Sequence, residues 1–378
     1  MRIVLNTRSD DAVAGACVHD LGRRLADRGV AATVNDWGRY DRYDVAVFVA
    51  HDHDIVAARA QNPAIRIVLA DPKQRTPEAV EAARGADLLL VSSVEQRDVF
   101  LRTNRNVLVY TMFPTVTARA KEHADRPDGA IVVGYHGNRV HLEAMAHSVR
   151  PALEELGRQR PVELRAVYNI ETLGKAKFGV PDGRFVSVRH IQWTASFPGD
   201  LAAVDIGIVP GELPVAELLR ALELTAYPQP EFMYEPFDHL VRYKASTNPG
   251  RLYPFARLGI PVVADFTPSA AQFVQDGVSG LLASSPHGWL EALDTLARSA
   301  ELRTRLATGL RERLDEAYER QLDDFLEALS APRKPVPAVF PAEVTVVEQQ
   351  ALIERFAGPA GASRHVALAR ALLQRLRR

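Results

Sequence analysis

The chain has 378 residues, which is enough for two domains with a sizeable core each. Its 46 Lys and Arg residues nearly balance 47 Asp and Glu, so the positive excess of a dedicated nucleic-acid-binding protein is missing. The single cysteine, Cys17, excludes an intrachain disulfide and any metal site built from several cysteines. The first residues read as a strand and not as a signal peptide, and no apolar run approaches the ~18 residues that span a bilayer. We therefore predict a cytoplasmic protein of two domains.

Short apolar runs alternate with helical patterns along the chain. Most runs are rich in Val, Ile and Leu without polar alternation, which is typical of parallel strands buried on both faces. The predicted strands are residues 2–6, 30–35, 44–50, 65–70, 88–92, 107–113, 131–134, 162–168, 185–188, 205–209, 261–264 and 280–283. Helices fit between them, for example after the capping-box pattern of residues 93–96. The alternation predicts an α/β protein with doubly wound sheets.

A polar stretch at residues 114–130 interrupts this alternation and is interpreted as an interdomain linker. The predicted organisation is an N-terminal Rossmann-like domain over 1–118, a linker over 119–130 and a C-terminal Rossmann-like domain over 131–330. Residues 301–329 form a long charged helix in this interpretation. The tail, residues 331–378, is predicted to form helices that pack back on the N-terminal domain. Its basic, amphipathic end leaves peripheral contact with an anionic membrane surface as the alternative.

A candidate anion site lies in the segment from Tyr243 to Leu252. Ser, Thr and Asn caps at a helix start offer free N–H groups, and Lys244 and Arg251 add positive charge. The competing interpretation is an ordinary capped helix with solvated basic residues. Two other nucleotide-binding patterns are missing, since the chain has neither a GxGxxG fingerprint nor a Walker loop. A Rossmann dehydrogenase and a P-loop hydrolase are therefore disfavoured.

Four further motifs point to one family: "GYHGN" at 134–138, "DIGIVP" at 205–210, "LGIPVVA" at 258–264 and "DGVSGLL" at 276–282. With them the chain resembles GT-B glycosyltransferases, in particular the family-4 group (glycosyl transferases group 1). The resemblance implies the GT-B architecture, two Rossmann-like doubly wound domains that face a cleft. It also implies transfer of a sugar from a nucleotide-diphosphate donor to an acceptor hydroxyl, in polysaccharide or glycoconjugate biosynthesis. The acceptor would be a glycan, a lipid-linked molecule or a small molecule, and no cofactor is expected.

The resemblance also assigns site residues. Arg139 and Lys244 match the two basic positions at the donor diphosphate, and Gly15 falls in a small-residue loop between the first strand and a helix near Cys17. The remaining donor-binding candidates are Gly134, His136, Gly137, Asn138, Arg189, His190, Trp193, Ser246, Thr247, Asn248 and Arg251. Arg189, His190 and Trp193, expected just past a strand, would hold the nucleotide base. For His190 and Trp193, packing or a surface loop is the competing interpretation.

The pattern His51-Asp52-His53-Asp54 follows a buried run, at the strand end where open α/β sheets bind ligands. It fits a divalent metal site, a contact to the sugar or acceptor, or a solvated loop. We predict no metal and count His51 and Asp52 as catalytic candidates. If the enzyme retains the anomeric configuration, as family 4 does, the leaving phosphate itself takes the acceptor proton. If it inverts, His19, His51 or Asp52 is the candidate base.

One position departs from the family. Alignment on "LGIP" places Pro254 where family-4 enzymes carry the glutamate that holds the donor ribose. A proline inside a helix costs about 3 kcal/mol unless the helix starts late or kinks, so we expect a remodelled helix entry. The departure keeps two other functions open, a nucleotide-sugar epimerase on the same fold and a non-catalytic glycosyltransferase-like binding partner.

Overall fold

Two parallel six-stranded sheets form the framework of the molecule. The computed structural model describes residues 1–8, 12–49, 53–72, 77–101, 103–113, 116, 118–176, 179–211, 248–332 and 334. The strands are β1 Arg2–Asn6, β2 Ala31–Val34, β3 Val45–Val49, β4 Arg66–Ala70, β5 Leu88–Val91, β6 Val107–Val109, β7 Ile131–His136, β8 Val162–Tyr168, β9 Val186–Gln192, β10 Ile206–Val209, β11 Val262–Asp265 and β12 Leu281–Ala283. The orders are β2-β1-β3-β4-β5-β6 and β12-β11-β10-β7-β8-β9. The predicted α/β fold class is confirmed, and each of these strands overlaps a predicted apolar run.

Helices connect the strands in both halves. They are α1 Ala12–Asp27, α2 Ile55–Gln61, α3 Pro77–Gly85, α4 Val94–Leu101, α5 Arg139–Ala144, α6 Val149–Gln159, α7 Ile170–Leu173, α8 Phe197–Leu201, α9 Leu252–Arg257, α10 Pro268–Ala271, α11 Pro286–Ala297 and α12 Ala300–Ser330. No helix among the described residues is both long enough and apolar enough to cross a membrane.

The long helix α12 joins the cores of the two halves. Its first part buries Leu310 and Leu314 in the cluster around α9 and β11, which belongs to the second sheet. Its last part buries Phe325 and Leu329 in the cluster around β1 and β3 of the first sheet. The predicted return to the N-terminal half is thus made by α12 itself. The tail helices expected beyond it fall on residues 335–378, outside the described residues, and the domain boundaries stay predictions.

Several predicted boundaries are wrong. Helix α1 begins at Ala12, so Gly15 lies in its first turns and not in a loop. Strand β7 continues to His136, so Gly134 and His136 are strand residues and the turn is confined to Gly137 and Asn138. Strand β9 continues to Gln192, which places Arg189 and His190 within the strand. In each case the regular element extends into residues that sequence reasoning gave to a loop.

The helix entry at Pro254 is remodelled in the way that the sequence predicted. Pro249–Arg251 form a turn of 3₁₀ helix, and the α-helix α9 starts only at Leu252. Pro254 is therefore the third residue of α9, where a backbone N–H has no partner within the helix. The missing N–H of proline costs nothing at that position, and Pro254 is buried.

Candidate functional site

The carboxyl ends of the two sheets contact each other. The amide of Val94, which starts α4 after β5, donates to Gln272 Oε1 at 2.7 Å, just after α10. In return, the amide of Ser269 in α10 donates to Glu95 Oε1 at 3.2 Å. Because parallel strands place their carboxyl ends at one edge, this contact brings together the edges where α/β sheets bind ligands.

Arg251 and Gly137 form the centre of the candidate site on the second sheet. A Cβ at Gly137 would come within 2.9 Å of Arg251 Cδ, and the φ angle of +140° also favours glycine there. The guanidinium interacts with Tyr135 and Asp265, yet its buried Nη1 has no hydrogen-bond partner. Burial lowers the pKa of Arg251. An arginine with an unsatisfied donor is a candidate ligand for an anion.

His136 holds Arg251 in place from inside the core. Its Nε2 lies 2.9 Å from the Arg251 carbonyl oxygen, and its ring packs between Phe197 and Phe255 at centroid distances of 5.3 and 5.0 Å. Burial lowers the pKa of His136 to about 4, so the ring is neutral near pH 7. A neutral ring that donates from Nε2 fits the carbonyl acceptor. His136 is thus buried beneath the site and does not line it.

Gly134 is explained by packing within the second half. A Cβ at Gly134 would come within 2.5 Å of Val204 Cγ2, because this strand residue lies against Val204. From the sequence we predicted that Gly134 allows close approach of a diphosphate. In the structure it allows close approach of the Val204 side chain.

Arg139 lies at the first turn of α5, beside the Gly137 turn. Its side chain, 13% exposed, pairs with Glu143 at 3.3 Å and donates from Nη1 to the Leu173 carbonyl. Burial raises the pKa of Glu143, although the neighbouring Arg139 charge acts to lower it. Arg139 therefore reaches the end of α7, and contact with a diphosphate requires another rotamer.

The three residues predicted to hold the nucleotide base differ in their environments. Arg189 is exposed on β9, which is an edge strand. His190 is hydrogen bonded through Nδ1 to the Tyr168 hydroxyl at 2.8 Å, and burial lowers its pKa. Trp193 follows β9 and stacks on Phe197 at 5.7 Å. Of the three, only Trp193 lies beyond the carboxyl end of the strand.

Sequence reasoning missed Asp265, the last residue of β11. It accepts hydrogen bonds from the Gly211 amide at 2.7 Å and from Trp289 Nε1 at 2.9 Å, and its charge acts on Arg251. The sequence feature that could have pointed to Asp265 is a single acidic residue directly after the buried "PVVA" run. Glu95 was also missed, because the capping-box pattern already explained an acidic residue there. In the structure Glu95 is buried where the two halves meet.

Asn248 caps the 3₁₀ turn that leads to Arg251, because its Oδ1 accepts from the Gly250 amide at 2.7 Å. Gly15 faces open space, with nothing within 4 Å of an added Cβ. His51, Asp52, Lys244, Ser246 and Thr247 lie outside the described residues. Within the described part of the chain, no group of three or more His, Cys, Asp or Glu side chains is arranged to hold a metal ion.

Comparison with known proteins gives structural likeness only. No protein-family model matches the chain, and no curated protein sequence is significantly similar to it. The structure is similar to HepE of Anabaena, solved with UDP and glucose, at 14% identity over 87% of this chain and 99% of that one, with a TM-score of 0.51. It is also similar to a variant of T4 phage BGT solved with UDP-glucose, at 10% identity over 88% and 100% of the two chains, with a TM-score of 0.53.

A third similar structure is sucrose-phosphate synthase of Thermosynechococcus elongatus, at 13% identity over 86% of this chain and 98% of that one, with a TM-score of 0.50. The chain has the GT-B fold. At these identities the likeness shows the fold alone, so the place of this GT-B chain within the family-4 group stays a prediction.

Proposed function

We propose that this GT-B chain is a glycosyltransferase that uses a nucleotide-diphosphate sugar as donor. The observation that carries the proposal is Arg251, which stands over Gly137 with a buried Nη1 that has no acceptor. It lies at the carboxyl edge of the second sheet, opposite the edge of the first. The fold supplies the context, since the solved structures of HepE and T4 phage BGT hold UDP or UDP-glucose.

In the proposed reaction the bond between the anomeric carbon and the diphosphate oxygen breaks, and the acceptor oxygen bonds to that carbon. The diphosphate leaves with increased negative charge. Arg251, together with Arg139 and Lys244, would stabilise that charge through fixed electrostatics. Asn248, Ser246 and Thr247 would add hydrogen bonds to the same phosphates. Gly137 leaves room for the Arg251 side chain, and Trp193 would stack on the base.

We further propose transfer without a metal ion and with retention of configuration. The positively charged side chains would take the place that a divalent cation fills elsewhere. With retention, the leaving phosphate accepts the proton of the acceptor hydroxyl, so no side-chain base is required. His51 and Asp52 remain candidates for contact with the sugar or the acceptor. A uridine nucleotide is the first donor to test, because the two neighbouring structures contain it.

A binding screen tests the donor class. We expect one or more of the UDP-, GDP-, TDP- and ADP-sugars to raise the melting temperature, with the shift unaffected by a chelator. In the Lys244→Ala variant the affinity should fall roughly tenfold or more, on the order of 1.4 kcal/mol. Lys334→Ala removes an equal charge from an exposed residue and serves as the control. Binding that needs one divalent ion would contradict the metal-independent proposal, and absence of any shift would contradict the donor class.

A further inference from the structure

A charged cavity lies at the edge of the second sheet opposite the candidate site. It has a volume of about 210 Å³ and is lined by charged side chains: Asp125, Arg126, Arg160, Asp205, Arg298 and Arg303. The cavity is next to Ile131, the first residue of β7, whereas the candidate sugar-nucleotide site follows His136 at the other end of that strand. The six residues of β7 separate the two by roughly 17 Å. The volume is far above the ~15 Å³ that one water molecule needs.

Positive charge exceeds negative charge around this cavity. Asp205 pairs with both Lys121 at 2.6 Å and Arg126 at 3.1 Å. Asp294 likewise pairs with both Arg160 at 3.1 Å and Arg298 at 2.6 Å. Only Arg303 has a carboxylate of its own, Asp125 at 3.1 Å. Among these described residues five cations therefore share three carboxylates, which leaves two positive charges in surplus.

Arg303 is held rigidly by backbone carbonyls. Arg303 is 1% exposed, and its Nη1 and Nη2 donate to the carbonyls of Leu296 and Ala124 at 2.7 and 2.9 Å. The Nε atoms of Arg303 and Arg160 are both buried without a hydrogen-bond partner. A buried donor without an acceptor costs about 1–3 kcal/mol, more when charged, so such a group favours an incoming acceptor. Both arginines line the cavity, and its surplus of positive charge points to an anion.

We propose that this cavity binds a phosphate group, either inorganic phosphate or the phosphate of a small phosphorylated molecule. A phosphate dianion matches the surplus of two positive charges and offers several acceptor oxygens for guanidinium donors. Arg126 belongs to the segment between the two sheets, and Arg160 and Arg298 follow α6 and α11. A bound phosphate therefore ties the connection between the two halves to the second half.

Calorimetry on the full chain tests the site with potassium phosphate, against potassium chloride at equal ionic strength. We expect saturable binding of one phosphate, unchanged when UDP is present. Arg160→Gln and Arg298→Gln should each weaken the binding at least tenfold. The control Arg158→Gln removes the same charge from the same region, where Arg158 pairs with Glu155 outside the cavity, and should change the affinity less than twofold. Arg298 is 65% exposed, so its variant tests the site even if Arg160→Gln fails to fold.

Calorimetry with glucose 6-phosphate, and with glucose as its counterpart without phosphate, distinguishes inorganic phosphate from a phosphorylated small molecule. Tighter binding of glucose 6-phosphate than of phosphate, lost in the same variants, assigns the site to a phosphorylated small molecule. Equal binding assigns it to inorganic phosphate. Absence of saturable binding, equal loss in Arg158→Gln, or phosphate that UDP displaces and the cavity variants do not affect would each overturn the proposal. These outcomes do not depend on whether the chain transfers sugar.

Discussion

Arg251 depends on its neighbours at the level of single residues. The His136 ring fixes its carbonyl oxygen at 2.9 Å, and Gly137 leaves room for its side chain. The sequence predicted Arg251, Gly137 and His136 as site residues because they fall in recognisable motifs. It did not predict that His136 would act from the core, since a motif gives the order of residues and not the direction of each side chain. Strand alternation around β7 decides that direction.

Replacement of Arg251 tests the anion site directly. We expect Arg251→Gln to weaken UDP binding at least tenfold, because the variant loses a fixed charge next to the phosphates. Arg257→Gln, at the end of the helix α9 that follows Arg251, is the matched control, since Arg257 pairs with Asp315 in α12. Calorimetry of UDP with the three proteins gives the comparison. Equal affinity in Arg251→Gln and the unaltered protein would contradict the placement of the phosphates.

His136 predicts a pH dependence of stability. Its pKa is about 4 in the folded protein and ~6.5 in the unfolded chain, so between these values only the unfolded chain takes up the proton. The folded state should therefore lose stability as the pH falls below 6.5. The calculated loss is about 2 kcal/mol between pH 7 and pH 5.

Urea unfolding at the two pH values measures this contribution. In His136→Gln the loss between pH 7 and pH 5 should be smaller by about 2 kcal/mol than in the unaltered protein. The exposed His287 provides the control, and His287→Gln should leave the loss unchanged. An identical pH dependence in His136→Gln and the unaltered protein would show that His136 is protonated as easily as in the unfolded chain.

At the scale of elements, the strands were easier to predict than the helix ends. A buried parallel strand leaves a continuous run of Val, Ile and Leu, so all the described strands overlap predicted ones. Helix starts depend on local hydrogen bonds. Between β7 and β8, for example, the chain forms two helices, α5 and α6, separated by the 3₁₀ turn Met145–His147. The contact between α4 and α10 had no sequence signal, because its partners are 178 residues apart.

The contact between α4 and α10 should limit opening of the two halves. In Gln272→Ala the Val94 amide loses its partner, and its hydrogen exchange should rise roughly fivefold, as about 1 kcal/mol of hydrogen bonding is lost. The measurement is amide exchange resolved to α4. Gln275→Ala is the control, since Gln275 bonds to Arg313 within the second half. Unchanged exchange at Val94 would mean that the hydrogen bond is not maintained in solution.

Helix α12 should stabilise the first half through its last turns. Phe325 is fully buried and packs against Tyr110 at a ring distance of 5.8 Å. We expect Phe325→Ala to lower the free energy of unfolding by about 3–5 kcal/mol, because it removes a large side chain and leaves a cavity. Arg320→Ala, at an exposed position of the same helix, should change it by no more than about 0.5 kcal/mol. A loss below about 1 kcal/mol for Phe325→Ala would contradict the packing of α12 on the first sheet.

At the scale of the whole molecule, the net charge of −1 conceals an uneven distribution of basic residues. The candidate anion site at Arg251 lies at the carboxyl edge of the second sheet, and a surplus of positive charge surrounds Arg303 at its amino edge. The sequence predicted the first from family motifs. The second escaped prediction because its arginines come from three separate segments, at residues 126, 160 and 298–303, that only the fold brings together. The doubly wound α/β sheets were predicted from strand alternation, and the GT-B plan was predicted from the resemblance of the motifs to GT-B glycosyltransferases.

The most direct test of the account follows the nucleotide sugar itself by phosphorus and proton NMR. The chain is incubated without divalent metal, with the donor that stabilises it and with a panel of acceptors. Water serves as the acceptor when no other acceptor reacts. We predict that the donor diphosphodiester signals disappear, that a nucleoside diphosphate forms in equal amount, and that the new anomeric centre keeps its configuration. In Arg251→Gln the rate should fall at least tenfold. An isomerised sugar on an intact diphosphodiester, or a donor that is bound and left unchanged, would contradict glycosyl transfer.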